Sequence, residues 1–237
     1  MKKFVCLIGA CYSIYSCKPP SYSYVPATMN TTAYSRAGEG QLGFMFGSPG
    51  IGAKGGIAIT KNINVNAWAS TLPGSNDDYG SKEFEFSAGI QTDAENHQGV
   101  TSFYVGHSAG SNEKKRKGLT GDFNRTFLQL QHSAVDARLG GARLDGFFGL
   151  QVNYLSYKGT QEGSPFNDYL WYYQPYFGVA LGGKNVRLEV LQGLAIKNSG
   201  EWSQGVRVFP WFGHIGMLFK IRNNKQPDRS LKSPWNQ

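Results

Sequence analysis

A short run in the middle of the chain has the residue types of a serine-hydrolase nucleophile turn. Gly106-His107-Ser108-Ala109-Gly110 matches G-x-S-x-G, in which a sharp strand-to-helix turn exposes the serine that attacks a carbonyl carbon. Residues 111–118, however, carry no apolar face with which a helix could pack on a sheet. The sequence therefore favours Gly106, Ser108 and Gly110 as small residues on one face of a strand, with a catalytic Ser108 as the alternative. An acid and then a base would follow in the required order from Asp122, Asp136, Asp145 or Asp168 and His214.

Three other patterns lack the context that a cofactor, a metal or an acid pair requires. Residues 38–43 spell G-x-G-x-x-G, but they open a predicted strand and lead into no helix that could receive a pyrophosphate. Asp77-Asp78 lies among serine and asparagine, as in an ordinary exposed turn. No two histidines have the spacing of metal ligands on one element, so we expect no metal, no cofactor and no catalysis. The histidines are His97, His107, His132 and His214.

The N-terminus carries the signal for covalent lipidation. Two lysines precede a short apolar run, which ends in Ile14-Tyr15-Ser16-Cys17. A branched residue three positions before cysteine and a small residue directly before it form a lipobox, where the thiol is acylated and the chain is cut in front of it. The run is too short for a membrane-spanning helix, which needs about 20 apolar residues. We predict a cleaved signal peptide at residues 1–16 and a covalent diacylglycerol and acyl group on Cys17.

The composition of the remaining chain narrows the class of protein. Cys6 and Cys11 leave with the signal, so no disulfide framework or thiolate metal site is available. The chain holds 31 glycines, 13 tyrosines and 15 phenylalanines, and no apolar stretch after Cys17 has the length of a membrane helix. Such a composition is typical of a membrane β-barrel, in which lipid-facing and lumen-facing residues alternate. A secreted, tethered chain is also an improbable partner for nucleic acid, despite a formal charge of +8.

Ten short segments of period-2 hydropathy provide the elements of that barrel. In residues 82–91, for example, Phe84 and Phe86 face one way while Glu83 and Glu85 face the other. Alternation alone suits either a soluble sandwich or a membrane barrel, because it does not say which face is outside. The predicted strands are residues 39–47, 52–60, 64–72, 82–91, 100–108, 126–135, 144–157, 171–181, 186–196 and 206–221.

The spacing between the segments favours the barrel. If residues 18–36 form a periplasmic tether, the connections alternate between outward loops and inward turns, and the longest, residues 112–125 and 158–170, belong to the outward set. Long outward loops and short inward turns are typical of outer-membrane barrels. The even strand count then leaves both ends of the barrel on the periplasmic side. We predict an all-β, up-and-down antiparallel transmembrane barrel of about ten strands with an N-terminal lipid tether.

The predicted lumen face carries both charge signs together with several amides. In so narrow a barrel, paired charges and amides would fill the interior, whereas wide aqueous channels belong to barrels of about 16 strands. We therefore expect a plugged lumen and keep a pore as the alternative. The predicted charge network is Lys54, Glu83, Glu85, Arg187, Glu189 and Lys220, joined by Gln129, Gln131, Gln151 and Asn153.

Two further features suggest partners. The basic run Lys114, Lys115, Arg116 and Lys117 lies in the longest predicted outward loop, where it could meet lipopolysaccharide phosphates or an acidic partner, although most such runs are solvated loop tips. The last predicted strand contains His214, Gly216, Phe219 and Ile221, which fit polar-x-Gly-x-x-apolar-x-apolar. That pattern resembles the signal by which the barrel-assembly machinery recognises outer-membrane barrels during insertion, although here about sixteen residues follow it.

The first seventy residues resemble a known family. Cys17, then Tyr24-Val25-Pro26, Asn30 and Gly38-Glu39-Gly40, followed by residues 56–63 with the sequence GIAITKNI, are similar to the uncharacterised lipidated outer-membrane β-barrel proteins of Bacteroidota. The rest of the chain agrees with that family only in strand rhythm. The resemblance implies a barrel of about ten strands in the outer membrane, with no established activity.

These observations combine into one expectation for the whole chain. Residues 17–37 are the acylated cysteine and tether, 38–222 the barrel, and 223–237 a polar, basic periplasmic tail, so that both termini are periplasmic. The expected function is a non-enzymatic structural or accessory subunit, bound to outer-membrane lipid and lipopolysaccharide and to another outer-membrane protein. The alternatives are a small-solute pore and a barrel serine hydrolase that uses Ser108.

Overall fold

The part of the chain that the structure describes forms eleven β-strands. The computed structural model describes residues 24–26, 29, 31, 33–34, 36–74, 79–92, 99–115, 118–198, 206 and 208–221. The strands are β1 (Gly40–Gly47), β2 (Gly50–Ala58), β3 (Ile63–Leu72), β4 (Tyr79–Gln91), β5 (Gly99–Lys114), β6 (Leu119–Leu139), β7 (Ala142–Gln161), β8 (Ser164–Gly182), β9 (Val186–Leu194), β10 (Ile196–Lys197) and β11 (Trp211–Ile221).

Ten of these strands close into an antiparallel barrel. Each strand from β1 to β8 pairs with the next along the chain, β9 pairs with β11, and β11 returns to β1 with Gly40 opposite Ile221. The two-residue β10 continues beside β8. Closure satisfies the backbone groups that a sheet edge would leave open, so such a barrel can exist in lipid. The predicted fold, an up-and-down barrel of about ten strands, is confirmed.

The four central strands are longer than the sequence pattern indicated. Residues 112–125 and 158–170 were predicted as long loops, and this was wrong: they are mostly strand, joined by short connections at residues 115–118 and 162–163. In the second connection Glu162 and Gly163 both have positive φ (52° and 82°), as a two-residue hairpin turn requires. Alternation continues through both regions, but the outward side chains are polar there, as at Asp122 and Asn124.

The barrel has two distinguishable ends. At the upper end lie Gly47, Leu72, Lys114 and Gln161, and the β5–β6 and β7–β8 hairpins extend this wall well beyond the short strands β1–β3. At the lower end lie the β2–β3, β6–β7 and β8–β9 turns together with the paired ends of β1 and β11. The chain therefore enters and leaves the barrel wall at its lower end.

The outer face carries a continuous apolar belt. Along β7, Phe148 and Leu150 are 60% and 43% exposed, and Tyr154 stacks on Tyr169 and lies 5.0 Å from Trp171 at the upper edge of the belt. Above these rings the outward residues become polar. Apolar residues facing outward around a closed barrel, with aromatic residues at the boundary, make this an outer-membrane-type barrel. The described residues contain no helix with the length and hydrophobicity to cross a membrane.

Inside the wall, aromatic rings occupy the space beside glycines of the neighbouring strand. A Cβ atom on Gly106 would overlap the ring of Phe127, and one on Gly110 would overlap the ring of Phe123. Ser108, between these glycines, also faces the interior and is 1% exposed. The G-x-S-x-G run is thus a strand segment whose small residues make room for rings, and no strand-to-helix turn is present at it.

Candidate functional site: the barrel lumen

The segment before β1 occupies the interior of the barrel. Its described residues among positions 24–36, here called the lumen segment, pack against inward-facing side chains of the wall, whereas the sequence suggested an extended tether outside it. They bond to inward-facing side chains of β2, β3, β6 and β9, on separate parts of the closed wall, so they lie within it. Buried members are Tyr24, Val25, Pro26, Met29, Thr31, Ala33 and Tyr34.

The lumen segment begins at the upper end. Tyr24 forms a parallel bridge with Val208 in the connection between β10 and β11, and its carbonyl oxygen accepts a hydrogen bond from Phe209 N at 2.9 Å. Its ring meets Phe123 edge-on at 4.9 Å and lies 6.0 Å from Tyr172. Tyr24 is fully buried, so a large aromatic residue closes the interior between the tall hairpins.

An ion-pair cluster fixes the middle of the lumen segment. Lys54 Nζ donates to Thr31 Oγ1 at 2.6 Å and to Glu189 Oε1 at 2.8 Å, and the Thr31 hydroxyl donates to Glu189 Oε2 at 2.8 Å. His214 Nε2 also lies 2.5 Å from Glu189 Oε1. A buried carboxylate is tolerated when cations and donors surround it. Thr31 is therefore bound to the wall through charge-assisted bonds from two separate strands.

Below this cluster the lumen segment is held by amides. The Tyr34 hydroxyl donates to Asn66 Oδ1 at 2.8 Å, and Gln91 Nε2 donates to the Tyr34 carbonyl at 2.6 Å. A Cβ on Gly56 would overlap both the Tyr34 hydroxyl and the Asn66 amide, so Gly56 leaves the space in which they meet. Gly38 N then donates to Ala58 O at 2.8 Å at the lower end. The chain thus traverses the lumen from the upper to the lower end.

The lumen segment also fills the apolar part of the interior. Met29 is 1% exposed and packs in a cluster with four wall side chains, from β7, β8, β9 and β11. Close apolar packing of this kind reduces the space open to water at that level. The four wall residues are Phe147, Tyr176, Leu191 and Phe212.

A second charged cluster surrounds Arg125 in the upper half of the lumen. Its guanidinium pairs with Glu83 at 3.0 Å and with Glu85, and Nε donates to Ser108 Oγ at 3.0 Å. All of these side chains are buried, and Arg125 is 0% exposed. The remaining donor sites are used as well, because Nη1 donates to Gln151 Oε1 at 3.0 Å and to Asn153 Oδ1 at 3.1 Å.

A third cluster lies at the lower mouth. Arg187 pairs with Asp136 and Asp145, Lys220 Nζ donates to Asp145 Oδ2 at 2.7 Å, and Arg143 lies 3.3 Å from Asp136. Asp136 sits in a β-bulge between Ala134 and Ala137 with a φ of 57°. Bulges re-aim side chains, and here the bulge directs a carboxylate toward the cations of the mouth.

The structure divides the six predicted lumen charges among these three clusters. Glu83 and Glu85 belong to the Arg125 cluster, Lys54 and Glu189 to the cluster at Thr31, and Arg187 with Lys220 to the lower mouth. All six are buried. The predicted amides Gln129, Gln131, Gln151 and Asn153 are buried too, and Gln131 Nε2 donates to the Thr31 carbonyl.

The candidate hydrolase residues are not brought together. Ser108 is bonded to Arg125, whereas His214 is bonded to Glu189 in the cluster at Thr31. Of the candidate acids, Asp136 and Asp145 lie at the lower mouth, Asp122 faces outward, and Asp168 accepts a hydrogen bond from Val206 N. Within the described residues no Ser-His-acid arrangement forms.

The remaining predicted sites are placed as follows. Lys114 is buried at the upper end of β5 and Lys115 is exposed. In β11, His214 and Gly216 face the lumen while Ile221 is 55% exposed and Phe219 is half-buried. His107 and His132 bond to threonines on the outer face, and the described residues hold no group of three or more side chains that could bind a metal ion. Outside the described residues lie Cys17, Asn30, Asp77, Asp78, His97, Arg116, Lys117 and the tail 223–237.

Two features of the site escaped the sequence reasoning. Arg125 fell in a stretch predicted as a loop, although Leu119, Gly121, Phe123 and Arg125 keep the period of two that places them inside β6. The sequence of the lumen segment shows no regular alternation of apolar and polar residues. A signal for its burial did exist, because Tyr24, Met29 and Tyr34 are large apolar or aromatic residues in a mainly polar stretch. Solvated, extended tethers are poor in residues of this kind.

Comparisons with known proteins give one structural similarity and no activity. No family model matches the chain, and no curated protein does. Among solved structures, the chain is similar to the translocator domain of the autotransporter NalP from Neisseria meningitidis, with a TM-score of 0.42 and 14% sequence identity over 77% of this chain and 86% of that chain. The resemblance to lipidated barrels of Bacteroidota stays a prediction. The closed wall and its apolar belt define the chain as an outer-membrane-type β-barrel.

Proposed function

We propose that the chain is a sealed, lipid-anchored outer-membrane barrel that acts without catalysis, as a structural or accessory component of a larger outer-membrane assembly. One observation carries the proposal: the barrel is filled along its length by its own lumen segment and by three ion-pair clusters. A transport protein needs a water-filled path, and a barrel enzyme needs an accessible reactive group. The buried, paired charges of the described interior support a role other than either of these.

The outer face supports a membrane location. An apolar wall on a closed barrel is stable in lipid without further anchoring, and the polar hairpins above the belt suit the extracellular side, where barrel proteins carry their longer elements. We therefore assign the upper end to the outside of the cell and the lower end to the periplasm. This orientation agrees with the one expected for the barrel from its sequence.

Conductance tests whether the barrel is sealed. In planar bilayers the purified protein is expected to give no steady channels at high protein load, because Tyr24, Met29 and Tyr34 occupy the interior. The variant Tyr24→Ser/Met29→Ser/Tyr34→Ser is expected to admit ions, whereas the outward-facing substitution Tyr154→Ser is not. Steady channels from the unaltered protein would contradict the proposal.

Isolation in mild detergent tests the accessory role. We expect a second outer-membrane protein to be recovered with the chain in a fixed ratio. Lys115→Glu, at the member of the basic run that is described as exposed, is expected to weaken that recovery. Lys158→Glu on the neighbouring hairpin is its control, since both side chains are exposed at the upper end. A chain recovered only as a monomer would count against an assembly role.

A further inference from the structure

We propose that the outer face of β7 and β8 binds the saccharide of a lipopolysaccharide molecule in the outer leaflet. The binding surface, here called the aromatic platform, consists of Tyr154, Tyr169 and Trp171. Its leaflet and its ligand follow from the proposed outer-membrane location, on which this inference rests. The platform is separate from the basic run at residues 114–117, which the sequence suggested for such contacts.

The three rings form one continuous, exposed surface. Tyr154 and Tyr169 stack with their planes 15° apart and their centroids 6.3 Å apart, and Trp171 lies 5.0 Å from Tyr154. Tyr154, Tyr169 and Trp171 are 36%, 49% and 51% exposed on the outer face. The faces of aromatic rings are electronegative, so they attract the slightly positive C–H groups on one side of a sugar ring. The platform thus has the chemistry on which a saccharide stacks.

An interfacial girdle alone does not account for this cluster. A girdle that anchors a barrel in lipid runs around it at the membrane boundary. On the described outer face, however, the exposed tyrosine and tryptophan side chains are collected on two adjacent strands, apart from Trp211 at the start of β11. Those on β7 and β8 are Tyr154, Tyr169, Trp171 and Tyr173. They lie directly below the tall β7–β8 hairpin, which indicates a local binding surface.

Hydrogen-bonding side chains stand beside and above the platform on the same face. Ser156 is paired with Asn124 on β6 and with Tyr169 on β8, so these three exposed or half-buried side chains form a row. Successive outward positions on a strand are about 7 Å apart. A saccharide that rests on the rings of Tyr154 and Trp171 is therefore within reach of the amide, hydroxyl and phenol groups in this row.

The charge of this surface favours a saccharide over a phosphate group. In the next row up, Lys158 stands between Asp122 on β6 and Asn167 on β8. Its cation is thus beside a carboxylate, and the two rows together carry no net charge. Phosphate recognition relies on clustered arginine and lysine side chains. Amides and hydroxyls both donate and accept hydrogen bonds, as the hydroxyl groups of a sugar do.

The level of the platform favours a ligand that also has acyl chains. Below Tyr154 the outward residues of β7 are apolar, at Val152 and Leu150, whereas Ser156 and Lys158 above it are polar. A molecule bound across this boundary places its polar head above and its hydrocarbon below. A glycolipid has both parts, and in the outer leaflet of an outer membrane that glycolipid is lipopolysaccharide.

Binding of fluorescently labelled lipopolysaccharide to the purified barrel in mild detergent tests the platform. Trp171→Leu keeps the site apolar but removes the aromatic face, and Trp211→Leu makes the same change at a tryptophan of nearly equal exposure, 53%, away from the platform. Trp171→Leu is expected to weaken binding about tenfold. Trp171→Phe, which keeps a ring face, is expected to retain most of the affinity, and Trp211→Leu all of it. Heat-modifiable migration shows that each variant is folded.

A second pair of variants tests the polar row. Asn124→Ala removes the amide beside Ser156, and Ser111→Ala removes an exposed polar group on β5 of the same outer face. Asn124→Ala is expected to weaken lipopolysaccharide binding by about threefold, and Ser111→Ala to leave it unchanged. Equal affinities in these two variants would refute the hydrogen bonds from this row.

Labelled phosphatidylglycerol and the deacylated saccharide of the same lipopolysaccharide separate the parts of the ligand. If Trp171→Leu weakens phosphatidylglycerol binding as strongly, the ring only anchors the barrel in lipid and saccharide recognition is refuted. If the deacylated saccharide binds as tightly as intact lipopolysaccharide, the placement of the ligand across the belt boundary is refuted. If Trp171→Leu instead abolishes recovery of a second outer-membrane protein and leaves lipopolysaccharide binding unchanged, the surface is a protein interface and the inference is wrong.

The outcomes also separate this inference from the proposed function. An unaltered barrel that gives no channels and binds no lipopolysaccharide would refute the platform alone. A barrel that conducts but loses lipopolysaccharide in Trp171→Leu and not in Trp211→Leu would refute the sealed lumen, and the platform would stand.

Discussion

Replacing Arg125 by glutamine tests whether the lumen is dry and filled. Arg125 is completely buried and pairs with both Glu83 and Glu85. The substitution leaves two carboxylates facing each other with only neutral donors nearby. Both carboxylates are buried, so in a lumen that is dry, as proposed, neither can be hydrated in compensation.

The size of the effect follows from the cost of an unpaired buried charge. Removing one partner of a buried ion pair destabilises proteins by about 3–5 kcal/mol, a change of roughly a hundred- to a few-thousand-fold in the unfolding equilibrium. Lys82→Gln makes a similar loss of charge on the exposed side of β4 and is expected to change stability by no more than about 0.5 kcal/mol. The triple variant Arg125→Gln/Glu83→Gln/Glu85→Gln removes all three charges and is expected to regain most of the loss.

Urea unfolding in lipid vesicles, followed by heat-modifiable migration on gels, measures these differences. The reasoning predicts a large loss for Arg125→Gln, recovery in the triple variant and almost none in Lys82→Gln. A loss below about 1 kcal/mol for Arg125→Gln would mean that the carboxylates reach water. The lumen would then be hydrated, and the sealed barrel would be refuted.

Two more substitutions test the lumen segment and the belt. Gly56→Ala is expected to displace Tyr34 and to raise its reactivity in hydroxyl-radical footprinting. In the control Gly55→Ala, on the outer face, the added methyl group meets the flexible end of a leucine, so Tyr34 stays protected. Equal protection of Tyr34 in both variants would refute the close contact between Gly56 and Tyr34. Leu130→Lys, in the belt, is expected to lower the free energy of unfolding in vesicles by about 2–4 kcal/mol. Asn124→Lys, on the same outer face but above the belt, is expected to lower it by about 0–1 kcal/mol. Equal losses in the two variants would mean that the apolar belt does not lie at Leu130.

The barrel itself could be predicted because the pattern that indicates each strand is formed by residues that are neighbours in the sequence. Successive side chains of any strand point to opposite faces, so the alternation of Glu83 and Phe84 indicates a strand without knowledge of the rest of the fold. The same signal failed in the upper hairpins. Outside the belt the lipid no longer requires apolar outward residues, so positions such as Asp122 and Asn124 look like loop residues although they lie in β6.

The content of the lumen could be predicted only in part. That charges would pair inside a narrow barrel follows from alternation and the cost of burial. Which charges meet does not, because the partners are distant in sequence: Thr31 and Glu189 are separated by 158 residues. The lumen segment was missed for the same reason. Its position depends on the space left by Gly56 and on the apolar cluster around Met29. These contacts join residues that are far apart in the sequence, so no pattern of neighbouring residues predicts them.

Cysteine cross-linking tests the central claim, that the lumen segment fills the barrel, most directly. Met29→Cys is paired with Leu191→Cys, whose side chain faces the lumen in the same cluster, or with Leu188→Cys, which lies on the same strand but is 55% exposed on the outer face. After mild oxidation, peptide mass spectrometry measures the linked fraction. The structure predicts an efficient link from position 29 to 191 and none to 188, while absence of the link to 191 in a folded barrel would contradict the claim.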